Sequence, residues 1–423
     1  MWADESVFYH IYPIGFCGAP SFNNFVSEPR FRLSKVYDWV PHLKQLGVNA
    51  IYFGPLMESS SHGYDTKDYF LVDRRLGSNE DLKKLVSHLH QNGIRVVIDG
   101  VFNHVGRDFF AFEDVKQSVS YSKYCSWFKL NFNSNNHYDD GFCYEGWDGC
   151  DDLIKLVLTN PEVKNHIFAA VLKWIDEFDI DGLRLDVAHY LPLRFLHELK
   201  QICLQRKKDF WLMGEMVFGN YCRLVNSHAL DSCTNYELYK GLHSSCNNRN
   251  MFELSHTLDR QFGNRGIYNG VNLYNFLDNH DVSYISSKIK DSKQIKVLYA
   301  LLFTLPGIPS IYYGSEWGQK GVRSRSDSEV RPCFLSPKDN DISLHISWWA
   351  KYRQNNKPLS YGKYKNLETR QNLLVFRREY KDQQIDLAAN IGSETQTLLH
   401  FGQEKIIKPY EMVILSQNNM QKS

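Results

Sequence analysis

The sequence has no excess of charge of either sign, because its 423 residues carry 49 Lys and Arg against 48 Asp and Glu. A net charge of +1 gives no electrostatic reason to bind nucleic acid or an anionic membrane, so we expect an uncharged partner. The sequence also lacks a long uninterrupted apolar run, since the longest one, residues 297–313, contains Pro306, Gly307 and Pro309. These residues disfavour a membrane-spanning helix and favour a soluble helix followed by a strand.

The nine cysteines form no C-x-x-C pair, and the chain does not begin with a basic and then apolar leader. Both features favour reduced thiols and a location in the cytoplasm. Cys143 and Cys150 are the closest pair in sequence; a disulfide or a zinc site is an alternative there, but free thiols are the preferred interpretation. The sequence also lacks the metal-binding motif H-E-x-x-H and any pair of His residues at helical spacing. No metal ion or other cofactor is therefore expected. Asn103 is a candidate calcium ligand, although a lone side chain fits a loop hydrogen bond better.

What the sequence does contain is 43% hydrophobic residues, with nine Trp and 25 Tyr, whose flat faces and polar tips suit stacking on sugars and bases. Short apolar runs alternate with helical patterns, as in the βα repeats of a parallel sheet. Eight such strands predict an α/β fold with a closed (β/α)8 barrel. The predicted strands are residues 8–14, 50–53, 95–101, 182–187, 211–215, 230–234, 271–277 and 310–313.

The third and fourth predicted strands are separated by 80 residues, 102–181, which are rich in Tyr, Asn, Asp and Gly. We therefore predict a subdomain inserted after strand three. Beyond about residue 358 the pattern changes to short alternating strands, which indicates a C-terminal antiparallel β-sandwich domain. The predicted domains are the barrel at 1–104 and 161–357, the inserted subdomain at 105–160 and the C-terminal β-domain at 358–423.

Polar side chains follow several predicted strands, at the barrel end where working residues gather. The carboxylates among them are Asp186, Glu215 and Asp281, and the basic side chains are Arg184, His104 and His280. Paired carboxylates can cleave an acetal, one protonating the leaving oxygen and the other stabilising or trapping the anomeric carbon. We expect Arg184, on the same strand face as Asp186, to keep that aspartate ionised. Glu215 would hold a proton, which neighbouring negative charge favours.

Two other interpretations of this cluster stay open. A single buried carboxylate at a barrel end is often a structural hydrogen-bond acceptor, but three of them with two His and an Arg are rarely so. His and carboxylate side chains also suit zinc or manganese, although no recognised ligand spacing accompanies them.

At these residues the sequence resembles the α-amylase family of retaining glycoside hydrolases over nearly its whole length. The stretches DGVFNH, GLRLDVAH, GEMV and FLDNHD resemble the four strand-end motifs of that family, in order, and HGYDTKDYFLVDRRLGSNEDL resembles its stretch after strand two. The resemblance implies the same barrel, inserted domain and C-terminal β-sandwich. It also implies that Asp186 is the nucleophile, Glu215 the acid and base, and Asp281 the stabiliser of the transition state.

The same resemblance implies that Tyr64 stacks beneath the sugar at the cleavage site, with a core aromatic residue as the alternative. It further implies that His104, Arg184 and His280 bind sugar hydroxyls or the nucleophile. Within the family the sequence is most similar to the cyclomaltodextrinase and neopullulanase group. Asp327 and Arg331, in SDSEVRP, resemble that group's pair that holds sugars on the non-reducing side; a surface ion pair is the alternative. His189 and Tyr190 replace the group's usual Asn-Glu.

These features predict a cytoplasmic hydrolase of α-1,4-linked glucose oligomers that retains configuration by double displacement. Retention requires the Asp186 and Glu215 carboxyl groups to lie about 5–5.5 Å apart. The alternatives are a transglycosylase or α-glucosidase on the same scaffold, or a non-catalytic sugar-binding protein. The partner is an α-glucan oligosaccharide, and the sequence leaves open the oligomeric state, calcium binding and the preference for α-1,4 or α-1,6 bonds.

Overall fold

A computed structural model describes residues 1–324 and 326–419, so the last four residues of the predicted C-terminal domain lie outside the described residues. Eight parallel strands form one sheet in the order β6-β5-β4-β3-β2-β1-β8-β7. Thr234 and Tyr274 form a parallel bridge between the two ends of this sheet, which closes the predicted barrel. The strands are β1 Phe8–Ile11, β2 Ala50–Phe53, β3 Arg95–Gly100, β4 Gly182–Leu185, β5 Trp211–Gly214, β6 Ser232–Cys233, β7 Tyr274–Phe276 and β8 Ile308–Tyr312.

Strands β1 and β7 are shorter than predicted. The prediction extended the first strand to residue 14, but Pro13 begins a helical turn, Pro13–Phe16. Proline has no N–H for a sheet and its fixed φ suits the first turn of a helix. The seventh strand was predicted from residue 271, but the Val271 N–H donates to the Tyr268 carbonyl in a turn, so pairing begins only at Tyr274.

Helices surround the barrel, and their ends carry the expected capping residues. Ser78 and Asp81 form a capping box at the start of Asn79–Gln91, and Asn160 caps Pro161–Phe178 with its side chain. None of the described helices combines the length and the apolar character needed to cross a lipid bilayer. The α-helices are Pro13–Phe16, Lys35–Leu46, Asn79–Gln91, Phe110–Ser118, Pro161–Phe178, Leu193–Arg206, Tyr236–Asn248, Met251–Phe262, Ile285–Lys288, Ile295–Thr304, Asp341–Gln354 and Lys357–Tyr361.

The segment between β3 and the helix Pro161–Phe178 forms small antiparallel sheets of its own. Strands His104–Gly106, Cys150–Lys155 and Gly146–Trp147 make one sheet, and Leu130–Asn131 pairs with Cys143–Tyr144. Asp148 and Gly149 make a two-residue hairpin turn with positive φ angles of 50° and 74°. This tight turn sends Trp147 and Asp148 back toward the barrel, where both line its mouth.

The C-terminal part of the chain is an antiparallel β-domain, as predicted. Four strands pair in the order β9-β10-β11-β14, and β12 and β13 form a separate hairpin. Leu398 and Ile407 of that hairpin are buried together with Leu373, Val375 and Ala388 of the sheet, so the two layers share a small core. The strands are β9 Lys363–Thr369, β10 Leu373–Tyr380, β11 Gln383–Asn390, β12 Gln396–His400, β13 Gln403–Ile407 and β14 Glu411–Asn419.

Two buried arginines join the C-terminal domain to the barrel at the end of the helix Ile295–Thr304. Arg378, on β10, donates hydrogen bonds to the Thr304 and Gly362 carbonyls. Arg353 donates to the carbonyls of Phe303, Leu359 and Gly307 at 3.1, 2.7 and 2.6 Å. Burial lowers the pKa of Arg353 to about 10, so its charge persists at neutral pH. Cations at the carboxyl end of a helix also complement its dipole.

We predict that Arg378→Met lowers the free energy of unfolding by about 1–3 kcal/mol, because it leaves two buried carbonyls without donors. Urea denaturation compared with the wild-type protein measures this loss. The matched control is Lys365→Met, which removes a cation from an exposed position on the neighbouring strand β9. Equal urea midpoints for the two variants would show that the carbonyl contacts of Arg378 do not hold the domains together.

Candidate active site

A cavity of about 660 Å³ opens at the carboxyl ends of the barrel strands. Seven of the nine sequence-predicted site residues line it: Tyr64, His104, Asp186, Glu215, Asp281, Asp327 and Arg331. The other two, Arg184 and His280, lie directly beneath and contact the lining carboxylates. The structure therefore brings all nine residues to one place.

The register of three neighbouring strands assembles the carboxylates of this cavity. Arg184 on β4 pairs with Asp99 on β3 and with Met213 on β5. Asp186 and Glu215 come two residues after Arg184 and Met213, so their side chains point to the same barrel face one step nearer the mouth. The parallel register alone thus places one cation among three carboxylates.

Arg184 is the centre of that cluster, with a side chain only 3% exposed. Its Nη1 lies 2.9 and 3.1 Å from the two Asp99 oxygens and 2.8 Å from Asp186 Oδ1. Its Nη2 lies 2.9 Å from Glu215 Oε1. Asp186 and Glu215 are therefore held side by side on a single guanidinium group.

Burial raises the pKa of Asp186 well above its usual range; Arg184 opposes this effect, while the charges of Glu215 and Asp99 add to it. We expected Arg184 to keep Asp186 ionised, but burial and the two neighbouring carboxylates outweigh its effect on the pKa of Asp186. Asp186 therefore keeps a proton at a pH where an isolated aspartate has lost it.

Glu215 is also held by the backbone. Its Oε2 accepts a hydrogen bond of 3.0 Å from the N–H of Val187. Val187 has a left-handed conformation with a φ of 40°, which is rare for a β-branched residue. Such a conformation costs about 1–3 kcal/mol and is typical of functional sites, where the surrounding structure imposes it.

Asp281 lies in a different electrostatic environment, after β7. His280 Nε2 lies 3.0 Å from Asp281 Oδ2, and Arg331 Nη2 lies 2.9 Å from Asp281 Oδ1. Burial raises the pKa of Asp281, but His280, Arg331 and Arg184 outweigh that effect and hold it well below its usual range. Asp281 is thus ionised at neutral pH.

Tyr64 and His104 form part of the cavity wall. The Tyr64 hydroxyl donates to Asp99 Oδ2 at 3.1 Å, and its ring stacks on His280 with centroids 5.5 Å apart. His104 Nε2 is 3.9 Å from Asp186 Oδ2, too far for a hydrogen bond, and has no partner among the described residues. Burial lowers the pKa of His104 to about 3, so the ring is neutral and free to bind a hydroxyl.

Asp327 and Arg331 lie in the segment after β8. Arg331 Nη2 is 3.2 Å from Asp327 Oδ2, and Asp327 also pairs with Arg323. The two side chains form an ion pair, but at 18% and 13% exposure it lies in the cavity wall rather than on the open surface. Their role in holding sugars stays a prediction.

Sequence analysis missed several residues of the site. Asp99 opens the DGVFNH stretch and binds Arg184, and Tyr52 donates to it at 2.9 Å. The strand-end position of Asp99 was a usable signal for this role. Trp147 and Tyr236 also line the cavity, but they come from the inserted hairpin and from the first turn of a helix, where no local pattern marks them.

No group of three or more His, Cys, Asp or Glu side chains in the described chain has the arrangement of a metal site. Asn103, the candidate calcium ligand, is buried, and its side-chain nitrogen lies 3.2 Å from His104 Nδ1. The nine cysteines, all of them in described positions, are free thiols, Cys143 and Cys150 included.

The chain is similar to several known proteins. Residues 21–355 match the family model "Alpha amylase, catalytic domain". The chain is 31% identical over 394 residues to the cyclomaltodextrinase of Thermoanaerobacter pseudethanolicus, covering 90% of this chain and 67% of that protein. It is 29% identical over 383 residues to the intracellular maltogenic amylase of Bacillus subtilis, covering 86% of this chain but only 61% of that protein.

A solved structure matches over almost the whole length of both chains. The cyclic α-maltosyl-(1→6)-maltose hydrolase of Arthrobacter globiformis superimposes with a TM-score of 0.86 at 25% identity, covering 98% of this chain and 99% of that one. The resemblance seen in the strand-end motifs is confirmed by these matches. The chain belongs to the α-amylase family of glycoside hydrolases.

Proposed function

We propose that the protein hydrolyses α-1,4-glucosidic bonds of maltooligosaccharides with retention of configuration. The observation that carries this proposal is the placement of Asp186 and Glu215 on one guanidinium, with ionised Asp281 in the same cavity. Relatives named cyclomaltodextrinase and maltogenic amylase support a substrate of this class. The chemistry needs two carboxyl groups and water, so we propose no cofactor.

In the first step Asp186 attacks the anomeric carbon while Glu215 gives its proton to the departing glycosidic oxygen. Arg184 binds Asp186 through Oδ1, which leaves Oδ2 to form the bond. In the second step Glu215 removes a proton from water, which attacks the glycosyl-enzyme and releases Asp186. A shared guanidinium keeps the carboxyl groups close, as the separation of about 5–5.5 Å in retaining enzymes requires.

The proposed reaction needs an ionised Asp186 and a proton on Glu215. The positive charge that develops at the anomeric carbon in the transition state, beside Asp186, favours the ionised form of that aspartate. Asp281 stays ionised and stabilises the same charge from another side of the cavity. Tyr64 and His104 are placed to contact the sugar, the first through its ring and the second through its unpartnered Nε2.

Transfer to a second sugar is the alternative reaction, and one feature of the cavity favours it. The His189 ring is tilted against Tyr190 and meets Phe218 edge-on, with ring centroids 4.4 and 4.8 Å apart. All three line the cavity, and they lie beside Glu215, because Ala188 donates its N–H to the Glu215 carbonyl and Phe218 follows Glu215 by three residues. Aromatic faces there can hold an acceptor sugar long enough to compete with water.

We also propose a cytoplasmic location. The support is the set of nine free thiols, which suits a reducing compartment, together with a relative named as intracellular.

Glu215→Gln is expected to lower kcat on maltotriose by about 10²–10⁴-fold, because the amide cannot supply the proton. Release of glucose and maltose, followed by chromatography, measures the effect. The matched control is Glu28→Gln, which changes an exposed glutamate that does not line the cavity. It should keep wild-type turnover. Wild-type turnover of Glu215→Gln would contradict the assignment.

The anomeric form of the first product tests retention directly. Proton NMR during the first minutes of maltotriose hydrolysis should show an excess of the α-anomer over the equilibrium mixture, because the newly formed reducing end is α until it mutarotates. An initial excess of the β-anomer would mean inversion and would rule out Asp186 as nucleophile. Oligomers longer than maltotriose in the same samples would reveal transfer.

Asp99→Asn is expected to move the acid limb of kcat/KM to lower pH. The negative charge of Asp99 raises the pKa of Asp186, so removing that charge lowers the pKa and keeps Asp186 ionised in more acidic solution. The control Asp148→Asn removes a carboxylate from the cavity mouth and should leave the limb in place. A limb that stays fixed or moves to higher pH in Asp99→Asn would contradict the electrostatic account.

A further inference from the structure

Arg331 contacts the site in a way that sugar binding alone does not explain. Its Nη2 lies 2.9 Å from Asp281 Oδ1, and its Nε donates to the His280 carbonyl at 3.1 Å. One guanidinium thus holds both the side chain of Asp281 and the backbone immediately before it. We propose that Arg331 is a positioning residue for Asp281, acting on the reaction even when no sugar contacts Arg331. This inference rests on the proposed glycosidase function.

The backbone on both sides of Arg331 is fastened to the end of β8. The hydroxyl of Tyr312 donates to the Val330 carbonyl at 2.6 Å, and that of Tyr313 donates to the Pro332 carbonyl at 2.8 Å. Both tyrosines are buried, with exposures of 1% and 0%. The backbone is therefore held at the residues before and after Arg331. A residue that positions another side chain needs this kind of support.

Two further contacts fix Arg331 itself. A Cβ on Gly15 would lie 2.1 Å from the Arg331 carbonyl oxygen, so only glycine permits this close approach. The guanidinium lies over the ring of Tyr12, 4.6 Å from its centroid. The side chain is thus placed before any substrate arrives, which spares the reaction the cost of ordering it.

Three of the five N–H donors of Arg331 are occupied. Nε donates to the His280 carbonyl, and Nη2 is shared between Asp281 and Asp327. With a side chain 13% exposed, Arg331 has only the N–H groups of Nη1 left for a sugar, so the contact with Asp281 persists whether or not a sugar is bound. Its charge contributes to the low pKa of Asp281 and so supports the ionised form that stabilises the transition state.

α-Glucosyl fluoride separates positioning from sugar binding. This substrate supplies one glucose unit, which occupies the cleavage site, and its fluoride leaves with little help from an acid. Arg331→Gln is expected to lower kcat for the fluoride by about 10- to 100-fold, the cost of a misplaced group, with KM changed less than about threefold. For maltotriose we expect kcat to fall by a similar factor.

If Arg331 only held a second sugar, the variant would turn over α-glucosyl fluoride at the wild-type rate and show a raised KM for maltotriose alone. That result would overturn the proposal. A wild-type protein that hydrolyses neither substrate would instead overturn the proposed function, so the two failures are distinguishable.

Arg331→Lys is the second variant, in case the glutamine variant does not fold. Lysine cannot hold the Asp281 carboxylate and the His280 carbonyl together with one planar group, so kcat for the fluoride should still fall. Because lysine keeps the charge, we expect the fall to be smaller than in Arg331→Gln. Lys320→Gln removes the same charge from an exposed position of the same segment that does not line the cavity, and is expected to change that kcat by less than about threefold. Equal effects at residues 320 and 331 would mean that net charge, not positioning, matters, which would also overturn the proposal.

Discussion

The active site depends on the guanidinium of Arg184, which is bound to Asp99, Asp186 and Glu215 at once. Three buried carboxylates cannot share a small volume without a cation, because their repulsion and desolvation would outweigh the packing that brings them together. With one cation among three acids, the pKa of Asp186 is raised well above its usual range. The same contact therefore lets β3, β4 and β5 pair in this register and sets the charge of the carboxyl group that the proposed reaction uses as nucleophile.

Asp186 and Asp281 are carboxylates of one cavity with opposite electrostatic environments. Burial and neighbouring carboxylates raise the pKa of Asp186, whereas His280 and Arg331 hold that of Asp281 low. Carboxyl groups whose pKa values are moved apart take different roles in acid and base chemistry. Three carboxylates share Arg184, whereas Asp281 contacts both Arg331 and His280, so the distribution of the cationic groups divides the roles.

The barrel and most of its site could be predicted because their signals are local. A parallel barrel gathers strand ends at one edge, so the polar residues after each apolar run, such as Asp186 and Asp281, could be assigned without knowing any contact. Contacts between distant segments could not be predicted. Trp147 reaches the cavity only through the path of the inserted hairpin. The contact between Arg331 and Asp281 depends on Tyr312 of β8, which looks in the sequence like an ordinary core residue.

The two sides of the cavity differ in burial, and this difference bears on the choice between water and sugar as acceptor in the proposed reaction. On the side of Asp281, hydroxyls of buried tyrosines and the close approach of Gly15 fix the structure. On the side of Glu215, Tyr190 and Phe218 are 52% and 63% exposed. Buried and fully bonded groups set the chemistry, whereas exposed aromatic faces can be replaced at little cost in stability. For the proposed reaction, we therefore expect substitutions at these exposed residues to change the balance between hydrolysis and transfer while the carboxylate cluster stays intact.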